Sequence, residues 1–304
     1  MKKALRTIWG IVISVLVMTV VWICWSLLSH RMPWQKHWET EHQLTVVTYN
    51  TNGMLVDKKL EDKLAMLDYV KKLDADIVCL QEASFNNSVS KIFLSEKVFR
   101  KAMTEYPYFN QYVAKGNGWI CLSRYPILSA RMINYESANN GSMAYELKVG
   151  ADTLLLINNH LESNKLTLDD RTAYREMIVN PQEEALKSTS KRLIGKVSEA
   201  ASIRANQANK VSQYIRESGH KYVVSCGDFN DSPLSYAHRI IGEGMNDAFI
   251  ESGNGLGISY HRNGFYFRID HILASDNIEL YNCKIDNSIK ASDHYPIWCY
   301  IRKK

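Results

Sequence analysis

Short apolar runs that end in polar residues recur along most of the chain. The run at 44–49 (LTVVTY) is rich in β-branched residues and predicts a strand, and 58–73 places leucines and a valine at helical spacing. Further strands are predicted at 76–80, 119–122, 127–133, 143–149, 153–158, 222–226, 269–273, 278–285 and 296–301. Few helices lie between them, the clearest at 197–218. The pattern predicts a large mixed sheet or a sandwich, flanked by helices.

The N-terminal part has a different pattern. Residues 8–28 are apolar and uncharged, which is long enough for a helix that crosses a bilayer core of roughly 30 Å. We expect a basic tail at 1–7, a transmembrane helix at 8–28 and a linker at 29–43. A cleaved secretory signal is the alternative, but the run exceeds the usual apolar length and lacks a small-residue cleavage pattern. The basic residues before it favour a cytoplasmic N-terminus, with the rest of the single-pass membrane protein outside the cytoplasm.

Residues 44–304 are expected to form one folded domain. The 46% hydrophobic and 23% charged composition of the chain excludes a disordered protein. The net charge of +5 suits a phosphate-bearing or membrane partner but many others as well. The charged segment 164–216 predicts a helical insertion, which either lies on the surface or shapes access to a site, since it follows His160. The cysteines lack CxxC spacing, and small buried side chains are expected in place of zinc or disulfides.

Polar residues stand where the predicted strands end, at six separated places. A lone Asn, Asp or His after a strand is most often a turn residue, but strand ends that converge on one rim commonly form a site. The candidate site residues are Asn50, Glu82, His160, Asp228, Asn230, Asp270, Asp293 and His294.

Three of these residues offer oxygen ligands for a hard cation. Glu82 and Asn50 are ligands of the kind that Mg²⁺ prefers, with Mn²⁺ as an alternative. Asp293 could complete this shell or hold a second ion. A cation at this rim would suit chemistry on a phosphate group.

The other candidates are suited to proton transfer and charge stabilisation. His294 and Asp270 form an imidazole and carboxylate pair. His160 and Asn230 can donate hydrogen bonds to phosphate oxygens, and Asp228 can position or deprotonate an attacking water.

The short sequence motifs at these strand ends, taken in chain order, resemble those of the endonuclease/exonuclease/phosphatase superfamily. Any one string is weak, whereas seven in family order from about residue 44 to the C-terminus are specific. The strings are Thr48-Tyr49-Asn50, Leu80-Gln81-Glu82, Ser123-Arg124-Tyr125-Pro126-Ile127, Asn158-Asn159-His160-Leu161, Gly227-Asp228-Phe229-Asn230, Arg268-Ile269-Asp270-His271-Ile272 and Ser292-Asp293-His294-Tyr295-Pro296.

The resemblance implies an α+β fold, a four-layer α/β/β/α sandwich with two packed mixed sheets. It implies that Glu82 and Asn50 bind the metal and that His160 contacts a phosphate oxygen. It also places Asp228 and Asn230 at the attacked phosphate and pairs Asp270 with His294. The paired histidine is usually assigned as general base, although assignments between it and the equivalent of Asp228 vary.

The apolar segment 8–28 and the resemblance together predict a membrane-anchored, Mg²⁺-dependent phosphoesterase, which we expect to be a monomer. An extracytoplasmic nuclease, a sphingomyelinase-like lipid phosphodiesterase and an inactive membrane-tethered binding module are the alternatives. Asn52 stands where some abasic-site endonucleases carry an aspartate, and His271 stands where inositol phosphatases typically carry an arginine. Neither of those subfamilies fits cleanly, so the phosphoester substrate, nucleic acid or phospholipid, stays open.

Overall fold

The computed structural model describes residues 44–53, 60–83, 96–114, 116–137, 139–180, 183–262 and 265–304. Within these ranges, no helix combines the length and the apolarity needed to cross a membrane. The predicted tail 1–7, transmembrane helix 8–28 and linker 29–43 lie outside them.

Two six-stranded sheets form the centre of the described structure. The first has the strand order β13-β14-β1-β2-β4-β3 and the second has the order β5-β6-β7-β8-β12-β9. The first sheet contains β1 (Leu44–Asn50), β2 (Ile77–Gln81), β3 (Tyr108–Ala114), β4 (Asn117–Ser123), β13 (Ile278–Ile285) and β14 (Ile297–Lys303). The second contains β5 (Ile127–Met132), β6 (Gly141–Val149), β7 (Asp152–His160), β8 (Tyr222–Asp228), β9 (Met245–Asp247) and β12 (Asp270–Ser275).

Helices and one separate hairpin complete the described elements. The helices are α1 (Leu60–Leu73), α2 (Glu96–Ala102), α3 (Leu168–Val179), α4 (Glu183–Ser218), α5 (Tyr236–Ile241) and α6 (Ala248–Ser252). The hairpin pairs β10 (Tyr260–Arg262) with β11 (Phe265–Phe267).

Strand alternation explains why the two sheets pack face to face. In β1, Val46 belongs to the core between the sheets, whereas Val47 and Tyr49 belong to the core beneath α1 and α2. Successive side chains of a strand point to opposite faces, so one strand supplies both cores. The five described cysteines are free, and their burial between the sheets is what the sequence predicts.

The helices cover the outer faces of both sheets. Met66 and Val70 of α1 pack on the first sheet, while Ala208 and Val211 of α4 pack on the second. The predicted arrangement of two packed mixed sheets with flanking helices is confirmed.

The strongly patterned strands occur where the sequence places them, within a few residues. The differences are short or polar elements: β3, α2, α5, α6, β9 and the hairpin have no counterpart in the prediction. The residues of β3 are mostly half-buried or exposed, so this edge strand lacks a strong apolar pattern. The predicted helix 197–218 is the second half of α4, which begins at residue 183.

The segment 164–216 contains α3 and most of α4, and some of its residues line a cleft. Helix α3 begins with a capping box, in which Thr167 and Asp170 exchange hydrogen bonds. Ala208 of α4 is fully buried on the second sheet, whereas Arg171 and Arg204 line a cleft beside His160. Residues of the insertion thus line the cleft, and its effect on substrate access stays a prediction.

Candidate active site

The parallel strand pairs bring the predicted polar ends together. Strand β1 runs parallel to β2, which aligns Asn50 with Gln81, and β7 runs parallel to β8, which aligns His160 with Asp228. Asp270 opens the antiparallel neighbour β12 directly opposite Asp228. Because the carboxyl ends of parallel strands meet at one edge, side chains from both sheets face one another across the sandwich rim.

Asn50 links the carboxylates that lie on the two sheets. Its amide nitrogen Nδ2 donates to Glu82 Oε1 at 3.1 Å and to Asp228 Oδ2 at 2.9 Å. Its oxygen Oδ1 accepts from the backbone N–H of Asn52 at 2.9 Å. In this arrangement Asn50 positions two carboxylates, and its role as a metal ligand stays a prediction.

The loop after β8 holds Asp228 from the other side. Asp228 Oδ1 accepts from the Asn230 backbone N–H at 2.7 Å, and Asn230 Nδ2 donates to Asp228 Oδ2 and to the Leu161 carbonyl. Both side-chain amide hydrogens of Asn230 are therefore in use, one on Asp228 and one on the Leu161 carbonyl. Its predicted bond to a phosphate oxygen would require one of them to exchange partners.

Backbone strain is concentrated in the same loops. Glu82 and Asn230 both have φ of 51°, which is uncommon for residues other than glycine. Such conformations cost about 1–3 kcal/mol each and persist where the surrounding hydrogen bonds hold them, often at functional sites. The Thr51 hydroxyl donates to the carbonyl oxygens of Gln81 and Glu82 and helps to hold this turn.

His294 and Asp270 form the predicted pair. Nδ1 of His294 lies 2.8 Å from Asp270 Oδ2, and its Nε2 lies 3.8 Å from Asp228 Oδ2. Ser259 Oγ accepts from the backbone N–H groups of Ile269 and Asp270, which fixes the start of β12. Asp270 Oδ1 is buried and has no hydrogen-bond partner among the described residues.

Burial and the neighbouring carboxylates set the charge states of Asp228 and His294. Burial raises the pKa of Asp228 to about 6, with Asp270 adding to the rise and His294 opposing it. Burial opposes the charged form of His294, but Asp270 and Asp228 outweigh it and raise the pKa to about 10. At neutral pH, His294 is therefore an imidazolium next to a largely ionised Asp228.

The proton of His160 is placed by a residue that sequence reasoning missed. The Asn117 side-chain oxygen accepts from the Gly118 N–H, so its Nδ2 must be the donor to His160 Nδ1 at 2.9 Å. His160 consequently carries its proton on Nε2, which lies 3.6 Å from Glu82 Oε1 and 3.7 Å from Asp228 Oδ2. Asn117 stands in an Asn-Gly pair, which resembles a turn signal and gives no hint of this role.

Asp293 has a different partner from the other predicted metal ligands. Its Oδ2 pairs with Arg262 Nη1 at 3.1 Å, at the wall of the cleft. Asp293 Oδ1 is buried without a hydrogen-bond partner among the described residues, so one oxygen could still serve a cation. Its placement on the metal stays a prediction.

Arg204 ties the insertion to the centre and was also missed. This side chain is only 1% exposed, and its guanidinium donates to Asp231 Oδ2, the Glu162 carbonyl and Asn164 Oδ1, each at 2.9 Å. The loop after His160 and the loop after Asp228 are thus fixed by one cation. Because Arg204 lies within a highly charged helix, the sequence alone suggests an ordinary solvent-exposed side chain.

The centre lies in a cleft of about 470 Å³. The base is formed by Glu82, His160, Asp228 and His294, and the walls come from the insertion and from the β10–β11 hairpin. This volume suits a ligand of small-molecule size.

The donor set fits a divalent cation. Glu82 is one-third exposed at the side chain, whereas Asp228 and Asp270 are buried. Ligand atoms of Asp228, Asp270 and His294 lie within 4.8 Å of one another, but His294 as an imidazolium would not bind a cation, which leaves the carboxylates as ligands. Glu82, Asp228 and Asp270 supply three carboxylates beside one imidazolium, and a hard cation with oxygen ligands would balance the excess of negative charge.

Residues 47–294 match the family model described as Endonuclease/Exonuclease/phosphatase family. No curated protein sequence matches the chain.

Solved structures share the fold at low sequence identity. An endonuclease/exonuclease/phosphatase from Bacteroides vulgatus is 17% identical with a TM-score of 0.61, covering 88% of this chain and 100% of its own. Truncated Caenorhabditis elegans TDP2 is 17% identical with a TM-score of 0.58, covering 86% and 97%. The human Nocturnin catalytic domain with bound sulfate is 14% identical with a TM-score of 0.60, covering 86% and 94%.

Proposed function

Because the chain belongs to the endonuclease/exonuclease/phosphatase family, we propose that it is a membrane-anchored, Mg²⁺-dependent enzyme that hydrolyses a phosphoester. The observation that carries the proposal is the joined arrangement of Glu82, Asn50 and Asp228 beside the His294–Asp270 pair, at the base of one cleft. A phosphodiester is the primary candidate and a phosphomonoester the second.

Glu82 would hold the cation, with Asn50 positioning its carboxylate or contributing an oxygen. Asp293 would complete the shell or serve a second ion. When bound, Mg²⁺ supplies Lewis-acid polarisation of the phosphoryl group and balances its charge.

The proton steps follow from the charge states of the two central groups. Asp228, mostly ionised at neutral pH, would accept a proton from the attacking water, and the water oxygen would bond to phosphorus as the ester bond breaks. The leaving oxygen would depart with the electron pair of that bond and take up a proton from solvent. His294 keeps its own proton, with Asp270 at Nδ1, and donates from Nε2 to a phosphoryl oxygen. His160 donates from Nε2 on the other side of Asp228. In this scheme Asp228 is the base that activates water, and the His294–Asp270 pair supplies a positive hydrogen-bond donor to the phosphoryl group.

A substrate panel tests the activity. The full-length protein in mild detergent is incubated with DNA, RNA, nucleotides, phosphatidylcholine and sphingomyelin, with Mg²⁺ or with a chelator. We expect hydrolysis of at least one of them that stops with the chelator and falls by about 10²-fold or more in Glu82→Ala and His294→Ala. Glu251→Ala, at an exposed helix position, is the matched control.

Two outcomes would contradict the proposal. Activity that survives both substitutions would point to a contaminating hydrolase. Inertness to the whole panel, with a folded protein, would favour the inactive binding module.

Residues 8–28 support the membrane part of the proposal because they are almost entirely apolar and carry no charge. The full-length chain is expected to stay in the membrane pellet after alkaline extraction, and a variant that lacks residues 2–43 is expected in the supernatant. A protease added to intact cells should digest the domain if it lies outside the cytoplasm. Release of the full-length chain by alkali would contradict the anchor, and protection from protease would contradict the orientation.

A further inference from the structure

The two ends of the sandwich are separated along the strands. Strand β1 begins at Leu44 and ends at Asn50 in the candidate site. Strand β7 likewise begins at Asp152 and ends at His160. At about 3.3 Å per residue, these strands place the rim that carries the site roughly 20–27 Å from the opposite end of the sandwich. The folded domain therefore has a reactive end and a far end.

The far end is where the predicted anchor joins the domain. The predicted linker 29–43 leads directly into Leu44, the first residue of β1. A flexible linker of about 15 residues has a typical end-to-end distance of about 20 Å. The far end would thus stay near the bilayer that holds residues 8–28. To bring the rim equally close, the linker would have to run back along the whole length of the sandwich.

Lysine side chains join the two sheets at the far end. Lys303 of β14 donates to Asp152 Oδ2 at 2.6 Å and to the Val149 carbonyl at 3.1 Å, both on the second sheet. Lys148 of β6 donates to the Ala151 carbonyl at 2.7 Å in the adjoining turn. Both lysines therefore lie at the turn between β6 and β7.

A third lysine lies in the same place. The Lys221 ammonium lies 4.8 Å from the centroid of the Tyr222 ring, and the Lys303 ammonium lies 5.4 Å from the same centroid. Lys303 lowers the pKa of the Asp152 carboxyl through its hydrogen bond. Lys221 and Lys148 add to this shift, so all three lysines lie close to one carboxylate. We call Lys148, Lys221 and Lys303 the basic pole.

The basic pole presents an excess of positive charge to solvent. Its three ammonium groups share one carboxylate, and the Lys221 side chain is exposed. Among the neighbouring acids, Glu146 lies 3.8 Å from His220 Nε2. Lys304 and Asp276 add one charge of each sign beside the pole. The local balance therefore stays positive.

An anionic lipid surface has the charge that this pole can meet. Lysines near a bilayer are attracted by anionic headgroups over a Debye length, about 10 Å at 0.1 M salt. The predicted linker would keep the basic pole close to such a surface and raise its effective concentration there. Charge and the point of attachment thus favour the same orientation of the domain.

We propose that the basic pole docks on anionic headgroups of the bilayer that holds residues 8–28, so that the cleft opens away from this bilayer. The proposal rests on the anchor in the proposed function and names the source of the substrate. With the basic pole on the headgroups, the rim lies roughly 20–27 Å farther out. The cleft then receives phosphoesters from solution and not lipids of the same leaflet.

Fluorescence quenching in nanodiscs measures this orientation without any hydrolysis. The full-length protein is inserted into discs of phosphatidylcholine, with or without phosphatidylglycerol, that carry a nitroxide quencher on some headgroups. A fluorophore is attached to Ala151→Cys, an exposed position of the β6–β7 turn, or to Leu234→Cys, which is 96% exposed and lies near the cleft residue Ser232. We expect quenching of the Ala151→Cys label in discs with phosphatidylglycerol and none of the Leu234→Cys label. The parent protein, whose described cysteines are buried, gives the background labelling.

Matched charge reversals test the lysines. Lys148→Glu combined with Lys221→Glu should reduce the quenching of the Ala151→Cys label about 2-fold or more, because the headgroups then meet carboxylates. Lys191→Glu combined with Lys210→Glu, at exposed positions of α4, makes the same change in net charge and should leave the quenching unchanged. Salt at about 1 M, where the Debye length is about 3 Å, should act like the first pair. Thermal unfolding of each variant checks that the fold is intact.

Four results would overturn the inference. These are equal quenching of the two labels, quenching that does not depend on phosphatidylglycerol, equal effects of the two charge-reversal pairs, and hydrolysis of the disc lipids faster than of every soluble member of the substrate panel. A docked pole in a protein that is inert to the whole panel would uphold the inference and count against the proposed hydrolysis alone. Hydrolysis of a soluble substrate without docking would count against the inference alone.

Discussion

Individual residues in the centre act mainly through the charge that their neighbours place on them. Asp228 receives hydrogen bonds from Asn50 and Asn230, yet its burial near Asp270 still raises its pKa to about 6. His294 is charged because two carboxylates face it. Pairs of groups with displaced pKa values are typical of acid and base chemistry.

The first prediction concerns pH. If Asp228 accepts the proton of water, kcat/KM should rise as pH increases through about 6 or below, because only the ionised carboxylate can act as base. A pH profile between 4 and 9 on the best substrate of the panel measures this limb. Asp228→Asn should abolish this pH-dependent rise together with most of the rate. An unchanged rise in the variant would exclude Asp228 as the base.

The second prediction concerns Asp270. Asp270→Asn keeps the shape but removes the charge that supports the His294 imidazolium. We expect kcat to fall about 10²- to 10⁴-fold with little change in KM. Steady-state kinetics measures it, with the exposed Asp276→Asn as control. A change confined to KM would show that Asp270 serves binding alone.

The third prediction concerns Gly227, which has φ of 129° and lies next to Asp228. A Cβ atom at this position would lie 2.1 Å from the backbone oxygen of Asn159, which cannot move without breaking the β7–β8 pairing. Gly227→Ala should lower the free energy of unfolding by about 3 kcal/mol or more. Gly219→Ala, with positive φ but open space, should cost only about 1 kcal/mol. Equal losses in urea unfolding would contradict the steric explanation.

Buried polar contacts connect α6 and β12 to the loop that follows Asp228. Asp247 caps α6 by accepting from the N–H groups of Phe249 and Ile250, and it also binds His238 and Arg268. His271 lies in the same cluster and donates from Nε2 to the Asp231 carbonyl at 2.9 Å. Burial lowers the pKa of His271, so this imidazole stays neutral and fixes the loop that carries Asp228. The nearby guanidinium of Arg268 makes this cluster a structural support and a poor cation site.

The fourth prediction follows from this cluster. Asp247→Ala removes the cap and leaves Arg268, 8% exposed at the side chain, without its ion pair. We expect a loss of about 3–5 kcal/mol in unfolding free energy, since a buried charge loses its partner. Asn246→Ala, which removes a surface hydrogen bond to Asp276, should stay within about 0.5 kcal/mol. Similar melting temperatures for the two variants would contradict this account.

For the whole molecule, the site depends on two sheets that meet at one rim. Gln81 of the first sheet donates to Asn158 Oδ1 of the second at 2.6 Å, next to the side chains of the candidate site. A cation bound by residues of both sheets would therefore bind the folded chain and not the unfolded one.

The fifth prediction is that Mg²⁺ raises the melting temperature. Binding to the native state alone stabilises it by about 2.7 kcal/mol at a concentration 100-fold above Kd. Calorimetry with increasing Mg²⁺ should show the shift in wild type and Glu251→Ala, but not in Glu82→Ala. A shift that persists in Glu82→Ala would show that Mg²⁺ binds through residues other than Glu82.

The sequence predicts the strongly patterned strands and the family, because alternating apolar residues and strand-end motifs are local signals. It also supplies the residues that line the rim, since parallel strand ends must meet there. The final side-chain partners depend on distances between segments far apart in the chain. Asn50 and Asn230 donate to Asp228, and Asp293 pairs with Arg262.

The wall of the cleft that the β10–β11 hairpin forms is likewise a product of tertiary structure. The hairpin strands are three residues each, too short for a recognisable pattern, and Tyr174 meets Phe265 across 91 positions of sequence. Sequence thus determined the fold and the reactive groups. The packing of the insertion against the hairpin decided the shape of the cleft, because contacts between loops depend on the register of both sheets.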